Sequence, residues 1–470
     1  MAQRRKPAAK TRKPKRQAQG GQRPASRYAS KKKAVRRQAA GATKPRRSAN
    51  LVPIRCSRLD DQLIFRDRID ELAVRQFTTL VDEGRKEGKG GFTLNFYDAT
   101  AAYPDAMLQL VASVDRFRRR KLTFNAMLPD DRRLRNLFKN TNWAHLLAPS
   151  MFAPSTVSSD RHLPARRYGS AEEQKQVVDD MLEVMLRAME VDRTVVDGLE
   201  WSLNEITDNV LNHAESPKGG IVQLTTLRNR SRVRFVVVDS GRGIPTSIRE
   251  GYPHLRLDID AVGEAIKQGS TRSSDVGQGN GLAGALRISA LSGGVFRIVS
   301  GRAELTARHP PDSPEYDQQV HGRPASETFR GTSVSCEINV AGSIDLDEAL
   351  NFSGGHVGFD YIDAEYFDGS TREIHLPLAE ETAGFGSRKA GKALRTKALN
   401  LLRAEPSSRL VLDWSGVPSI SSSFADEFVG RLFVELGPTH YMERVKTVSM
   451  EPFARKLVDR AIKQRVAQSV

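Results

Sequence analysis

Three short runs between Trp201 and Leu282 hold side chains suited to chemistry on a ligand that carries both a base and phosphates. The first is Glu205-Ile-Thr-Asp-Asn209-Val-Leu-Asn212-His213. Glu205, Asn209 and Asn212 stand at i, i+4 and i+7, which puts all three on one face of a helix. An amide oxygen beside phosphate oxygens suits Mg²⁺, a hard cation that keeps several of its waters. A carboxylate one turn away can polarise an attacking water or hydroxyl. The polar outer face of an ordinary helix would show the same pattern. The second run is the strand Arg232–Val238 ending in Asp239, then Ser-Gly241-Arg-Gly243-Ile-Pro. A strand-terminal carboxylate can accept a hydrogen bond from an amino group such as that of adenine. Two glycines let the backbone approach a base or sugar, although a plain strand exit uses the same turn residues. The third run, Gly277-Gln-Gly279-Asn-Gly281-Leu282, leads into an apolar helix. Free N–H groups and the positive end of a helix dipole make a phosphate cradle there. No Gly-Lys-Ser/Thr follows and no βαβ unit with a spaced acid surrounds it, so it is neither a P-loop nor a dinucleotide fingerprint.

The elements that must position these runs are legible from periodicity. Val196, Leu199, Leu203, Ile206, Val210 and Leu211 recur at three- and four-residue steps, as in a half-buried helix. An earlier helix, Glu172 to Glu190, repeats Val177, Met181, Val184, Met185 and Met189, a stripe suited to core packing. Arg232 to Val238 is rich in β-branched residues, as a strand requires. The polar, proline-bearing stretch from Glu304 to Arg330 reads as a loop.

In this order and spacing the three runs resemble the N, G1 and G2 boxes of the GHKL ATPase superfamily, which spans histidine-kinase ATP domains, gyrase, heat-shock chaperones and mismatch-repair ATPases. The resemblance covers roughly residues 170 to 342. It implies an α/β sandwich of the Bergerat type that binds Mg-ATP. Glu205 would be the general base, Asn209 the Mg²⁺ ligand, and Asp239 the adenine-recognising carboxylate beside Gly241 and Gly243. Gly277, Gly279 and Gly281, with Leu282, would line the phosphate loop, and Asn212 would share the site. Gly331-Thr332, before the strand Ser333–Ile338, looks like the family's last motif, and Thr246 to Val276 would form the ATP lid. Glu205 makes the first box look more like the ATPase and serine-kinase branches than the sensor histidine kinases. The upstream histidines, His145 and His162, do not suit a phosphoacceptor, since His162 is followed by Leu-Pro in a linker-like stretch. His213 reads as a structural hydrogen-bonding residue. Such ATPases often dimerise.

Composition bounds the rest. The 470 residues leave room for about three domains. No run of 18 apolar residues exists, so no transmembrane helix is expected. The two cysteines suggest neither a disulfide framework nor a metal site, and a cytoplasmic location fits. Residues 1–49 contain 18 Lys or Arg and no acid, against a net +17 for the whole chain, so the remainder is close to neutral. This tail cannot bury a core and is expected to be disordered. It suits salt-sensitive contact with nucleic acid, an anionic membrane surface, or no partner at all.

Residues 51–157 alternate strand and helix and resemble a STAS domain, the fold of anti-sigma-factor antagonists, without an acceptor serine after the strand. The stretch Ser158 to Ser170 reads as a linker. Residues 345–470 repeat the theme: Arg409–Val417, then Ile420-Ser421-Ser422-Ser423 opening a helix, resemble a STAS-like family. Phosphorylated STAS proteins carry an Asp-Ser pair where Ser421-Ser422 stands, and helix capping competes with phosphoacceptance there. The expected architecture is α/β throughout: a basic tail over 1–50, a STAS-like domain over 51–157, a GHKL domain over 168–342 and a STAS-like domain over 345–470. The expected function is an ATPase or serine-kinase-like signalling regulator working by lid closure. The alternative is a nucleotide-sensing scaffold with little turnover, whose flanking domains and arm recruit protein or nucleic-acid partners.

Overall fold

Seven antiparallel strands in the order Asp317–Gly322, Ala303–Arg308, Val295–Gly301, Phe329–Asn339, Arg232–Asp239, Gly220–Leu227 and His162–Tyr168 form the layer on which everything else packs. The structure is a computed structural model describing residues 52–156, 161–267, 280–309, 317–324, 328–350, 361–382 and 384–468. The basic tail and the glycines Gly277 and Gly279 lie outside the described residues. Among the described residues, no helix is long and apolar enough to cross a membrane.

Two stretches differ from their sequence reading. Within the supposed linker, His162–Tyr168 is the edge strand of the sheet, paired antiparallel with Gly220–Leu227. Its charges mislead because an edge strand leaves one side in water. Leu163, Ala165 and Tyr168 nevertheless go into the interior. Within the supposed loop, Ala303–Arg308 and Asp317–Gly322 are also strands. Ala303, Leu305 and Ala307 alternate inward with only small or single apolar residues, and the outermost strand is largely polar. Weak alternation of this kind is easily read as a loop.

One face of the sheet carries the helices Ala171–Ala188, Arg193–His213 and Gly281–Leu291. The opposite face is covered by the N-terminal unit, whose strands Cys56–Leu59, Gln62–Phe65, Gly91–Asn95 and Thr123–Met127 form one sheet, parallel beyond its first hairpin. Its helix Pro104–Arg119 is buried without a break from Ala106 to Phe117. That is possible because both sides are occupied: its own sheet lies on one, and Val236, Val238, Val299 and Phe329 of the central sheet share its core. A helix buried on every side belongs in such a sandwiched position. Polar ties flank this seam. Trp143 Nε1 donates to Gln223 Oε1 at 2.8 Å, and Arg323 donates to Glu71 Oε2 at 2.9 Å.

The C-terminal unit has strands Phe367–Asp368, Glu373–Pro377, Arg409–Asp413 and Val445–Val448, the last three parallel. Its long helix, Arg388–Ala404, begins where Ser387 caps the Ala390 N–H and runs almost wholly buried against Ala171–Ala188. Two polar knots hold that seam. Asn400 donates to the Leu186 and Met189 carbonyls at 2.8 and 2.7 Å and accepts from Val191 N at 2.9 Å. Lys397 is fully buried and donates to both Glu183 oxygens and to Tyr366, each at 2.7 Å, and to Glu381. Removing one partner from a buried ion network leaves uncompensated charge behind. Lys397→Ala is therefore expected to lower stability by about 3–5 kcal/mol, read as an earlier urea midpoint for the full chain.

Candidate functional site

The site is assembled where the strand Arg232–Asp239 ends, and the pairing of that strand decides its contents. Val238 stands opposite Ser333 on the neighbouring strand Phe329–Asn339, so Thr332 falls beside Asp239. Asp239 is 2% exposed; its Oδ1 accepts from Gly241 N at 2.7 Å and its Oδ2 from Thr332 N at 3.2 Å. Burial pushes the carboxyl up to about 7, opposed by these bonds, by the Thr332 hydroxyl and by the charge of Arg119. Gly241 must be glycine for space, because a Cβ there would run into the Ala214 carbonyl. Gly243 has φ +80°, a left-handed turn that glycine adopts without strain, and opens the short helix Ile244–Ile248.

Ser300, which sequence reasoning missed, knits this corner. Its hydroxyl accepts from Ile244 N at 2.9 Å and donates to the Gly331 carbonyl at 2.8 Å. The one available sign was a lone hydroxyl in an apolar strand. It stands directly opposite Thr332 in the register of the sheet.

Glu205 and Asn209 come from the helix Arg193–His213, which starts at an Asp192 cap. Both are half-buried. Burial, then the charge of Asp208, pushes the Glu205 carboxyl above its usual range. Asn209 Nδ2 is buried with no hydrogen-bond partner among the described residues. Asn212 is not brought to the same place: it is exposed and donates to Asp208 Oδ2 at 2.6 Å. Asn212 lies in the last turn of the helix, which ends at His213, and the polar neighbour one turn back captures its amide.

Gly281, at the start of the helix Gly281–Leu291, packs directly on Glu205; a Cβ there would collide with the Glu205 carboxylate. The N-terminus of this helix thus meets a carboxylate of raised pKa, one helical turn from an orphan amide. Leu282 is half-buried against a small apolar cluster of the lid region: Ile248, Ala261 and Ala265, with Tyr252 and Leu255. Arg249 braces that region by donating to the Leu255 carbonyl and to Asp258 at 2.8 and 2.7 Å. The histidines weighed as phosphoacceptors sit elsewhere in the fold. His145 binds the Phe152 carbonyl at 2.8 Å, and His162 lies on the sheet's edge strand.

Residues 194–341 match the family described as histidine kinase-, DNA gyrase B-, and HSP90-like ATPases. The central domain is of the GHKL type. Residues 390–452 match a STAS-like domain of unknown function, and no curated protein matches the chain. A GHKL domain implies ATP binding, usually with Mg²⁺. The residues present fit both: the Asn209 amide carries an oxygen of the kind Mg²⁺ takes and a buried Nδ2 that lacks an acceptor, and the helix that starts at Gly281 has no side-chain cap. In the STAS-like domain, Ser421 caps its helix by accepting from Phe424 N at 3.0 Å, so that hydroxyl is engaged in structure.

The raised Asp239 pKa fixes the sign of a pH effect. In the nucleotide-free GHKL domain this group's contribution to stability is full below the usual carboxylate range and is lost as pH rises through about 7. An ionised carboxylate is the stronger acceptor for an amino group such as that of adenine. ADP affinity is therefore expected to fall as pH drops through about 7, measurable by calorimetric titration between pH 5.5 and 8.5.

Proposed function

We propose that the GHKL domain binds Mg-ATP and turns it over, as a hydrolase or as a kinase acting on a partner's serine, and that lid closure over the nucleotide is the signalling event. The observation that supports this most directly is Glu205 held against the N-terminus of the Gly281–Leu291 helix with its proton affinity raised by burial. A base of raised pKa is matched to taking a proton near neutral pH. Asp239 would accept from the adenine amino group, and Thr332 and Gly241 keep that carboxylate in place. Asn209 would hold Mg²⁺, which supplies charge neutralisation at the phosphates. The N–H groups at the Gly281 end, with Gly277 and Gly279, would hold phosphate oxygens, and Leu282 would follow the lid. Asn212 is exposed and bonded to Asp208, and would act at the rim of the site.

A second reading is a nucleotide-controlled scaffold with slow turnover. It is favoured by the two buried seams, which tie both flanking units to the GHKL domain, and by the engagement of Ser421 in a cap. In either case residues 1–49 would supply a salt-sensitive grip on an anionic partner, nucleic acid first, and a protein partner would meet the STAS-like surfaces. The protein would work in the cytoplasm, alone or as a homodimer.

With γ-labelled ATP and Mg²⁺, Glu205→Ala is expected to lose turnover by about 100-fold or more while ADP affinity stays within about threefold. Asp239→Asn is expected to lose ADP binding itself. Equal phosphate release by wild type and Glu205→Ala would sink the catalytic role, and tight binding with no release by wild type would leave the scaffold.

A further inference from the structure

The N-terminal unit reaches the nucleotide site from behind. Arg119, at the last turn of the helix Pro104–Arg119, donates from Nη1 to Ser240 Oγ at 2.7 Å and from Nη2 to the Ser240 carbonyl at 2.6 Å. Ser240 is the residue after Asp239. Ten residues earlier on the same helix, Gln109 donates to Ser333 Oγ at 3.2 Å, and Ser333 is the residue after Thr332. One helix therefore holds both backbone segments that fix the Asp239 carboxylate.

The charge on Arg119 is not used up locally. Both of its hydrogen bonds go to a hydroxyl and a carbonyl, and among the described residues no carboxylate lies within ion-pair distance of it. The neighbouring Arg118 donates to the carbonyls of Leu146 and Leu147 and also pairs with Asp115 at 3.9 Å. Arg116, 8% exposed, lies over the Phe117 ring at 4.3 Å with no hydrogen bond or ion pair among the described residues. Arg118 and Arg120 are paired with Asp115 and Asp82, so the charge directed at the turn that follows Asp239 is that of Arg119.

We infer that Arg119 is a positioning residue for nucleotide recognition, holding the Asp239–Gly241 turn through Ser240 and setting a positive charge behind the Asp239 carboxylate, so that the N-terminal unit tunes nucleotide affinity. This rests on the reading of Asp239 as the adenine acceptor. Other groups facing Asp239 do not supply that charge. Tyr168, from the strand His162–Tyr168, is buried and neutral, its own ionisation disfavoured by burial and then by Asp239 and Asp208. Thr332 and Gly241 contribute uncharged donors. An opposite charge favours the ionised acid, so removing it must raise the pKa of Asp239 further. Because linkage is reciprocal, a nucleotide that selects the ionised carboxylate also tightens the grip of Arg119 on Ser240. A partner that draws the end of this helix away would release nucleotide.

Arginines near a helix C-terminus also favour the helix dipole, and such a role would leave the titration of Asp239 unmoved. The test is calorimetric titration of the full chain with ADP and Mg²⁺ at pH 5.5 to 8.5, for wild type, Arg119→Ala and Arg119→Lys. In Arg119→Ala the pH midpoint of binding is expected to rise by about half a unit, since Arg119 is exposed and the smallest of the influences on Asp239. The affinity loss is then about twofold near pH 7 and vanishes by pH 8.5. Arg119→Lys keeps the charge and is expected to restore the midpoint. No binding by wild type would defeat the nucleotide reading itself. Binding by wild type with an unmoved midpoint in Arg119→Ala, or a loss that is even across pH, would overturn the role of Arg119. If Arg119→Ala does not fold, Arg119→Gln removes the charge while keeping an amide donor, and a midpoint unchanged there overturns the role equally.

Discussion

A carboxylate with almost no access to water must be satisfied by something, and the arrangement of the central domain follows from how Asp239 is satisfied. Two backbone N–H groups reach it, one from the turn after its own strand and one from the neighbouring strand. The first needs Gly241, since any side chain there would strike Ala214 at the end of the Arg193–His213 helix. The second needs the register that sets Val238 opposite Ser333. A slip of one residue would turn every side chain on that strand to the other face. It would bury charges such as Arg234 and remove the Thr332 N–H from Asp239 together.

The parts of this arrangement that depend on local chemistry could be read from the chain alone. Spacing puts Glu205 and Asn209 on one helix, the β-branched run puts Asp239 at a strand end and the apolar run puts Gly281 at a helix start, and the structure has each there. Ser421 could be read as a cap, and the structure shows it capping. What escaped depends on partners far away in sequence. The strands Ala303–Arg308 and Asp317–Gly322 have little pattern of their own and exist because the sheet supplies a ladder to join. Asn212 has the right spacing but is drawn to Asp208. Arg119 looks like any basic residue in the last turn of a helix until the turn after Asp239 is placed beside it.

The flanking units were legible as α/β folds, but their attachment was not. Each contributes one helix buried almost all round, Pro104–Arg119 on one side and Arg388–Ala404 on the other. A hint was present in the run from Ala106 to Val114, where Gln109 and Ser113 are the only polar residues. The seams differ in character. The N-terminal one is mainly apolar with polar ties at its margins, whereas the C-terminal one buries a lysine among carboxylates and tyrosines. The apolar seam tolerates imprecise fit, and the ionic one accepts a single geometry.

The double burial of Pro104–Arg119 has a consequence for the birth of the molecule. The helix leaves the ribosome complete, with its own sheet beside it, while the strand Phe329–Asn339 of the other sheet has yet to be made. At ordinary rates of translation that interval is on the order of ten seconds or more. Throughout it one side of the helix has nothing to lie on. The nascent chain therefore carries an uncovered apolar stripe that chaperones can hold, and the N-terminal unit finishes folding only when the nucleotide-binding layer arrives to cover it.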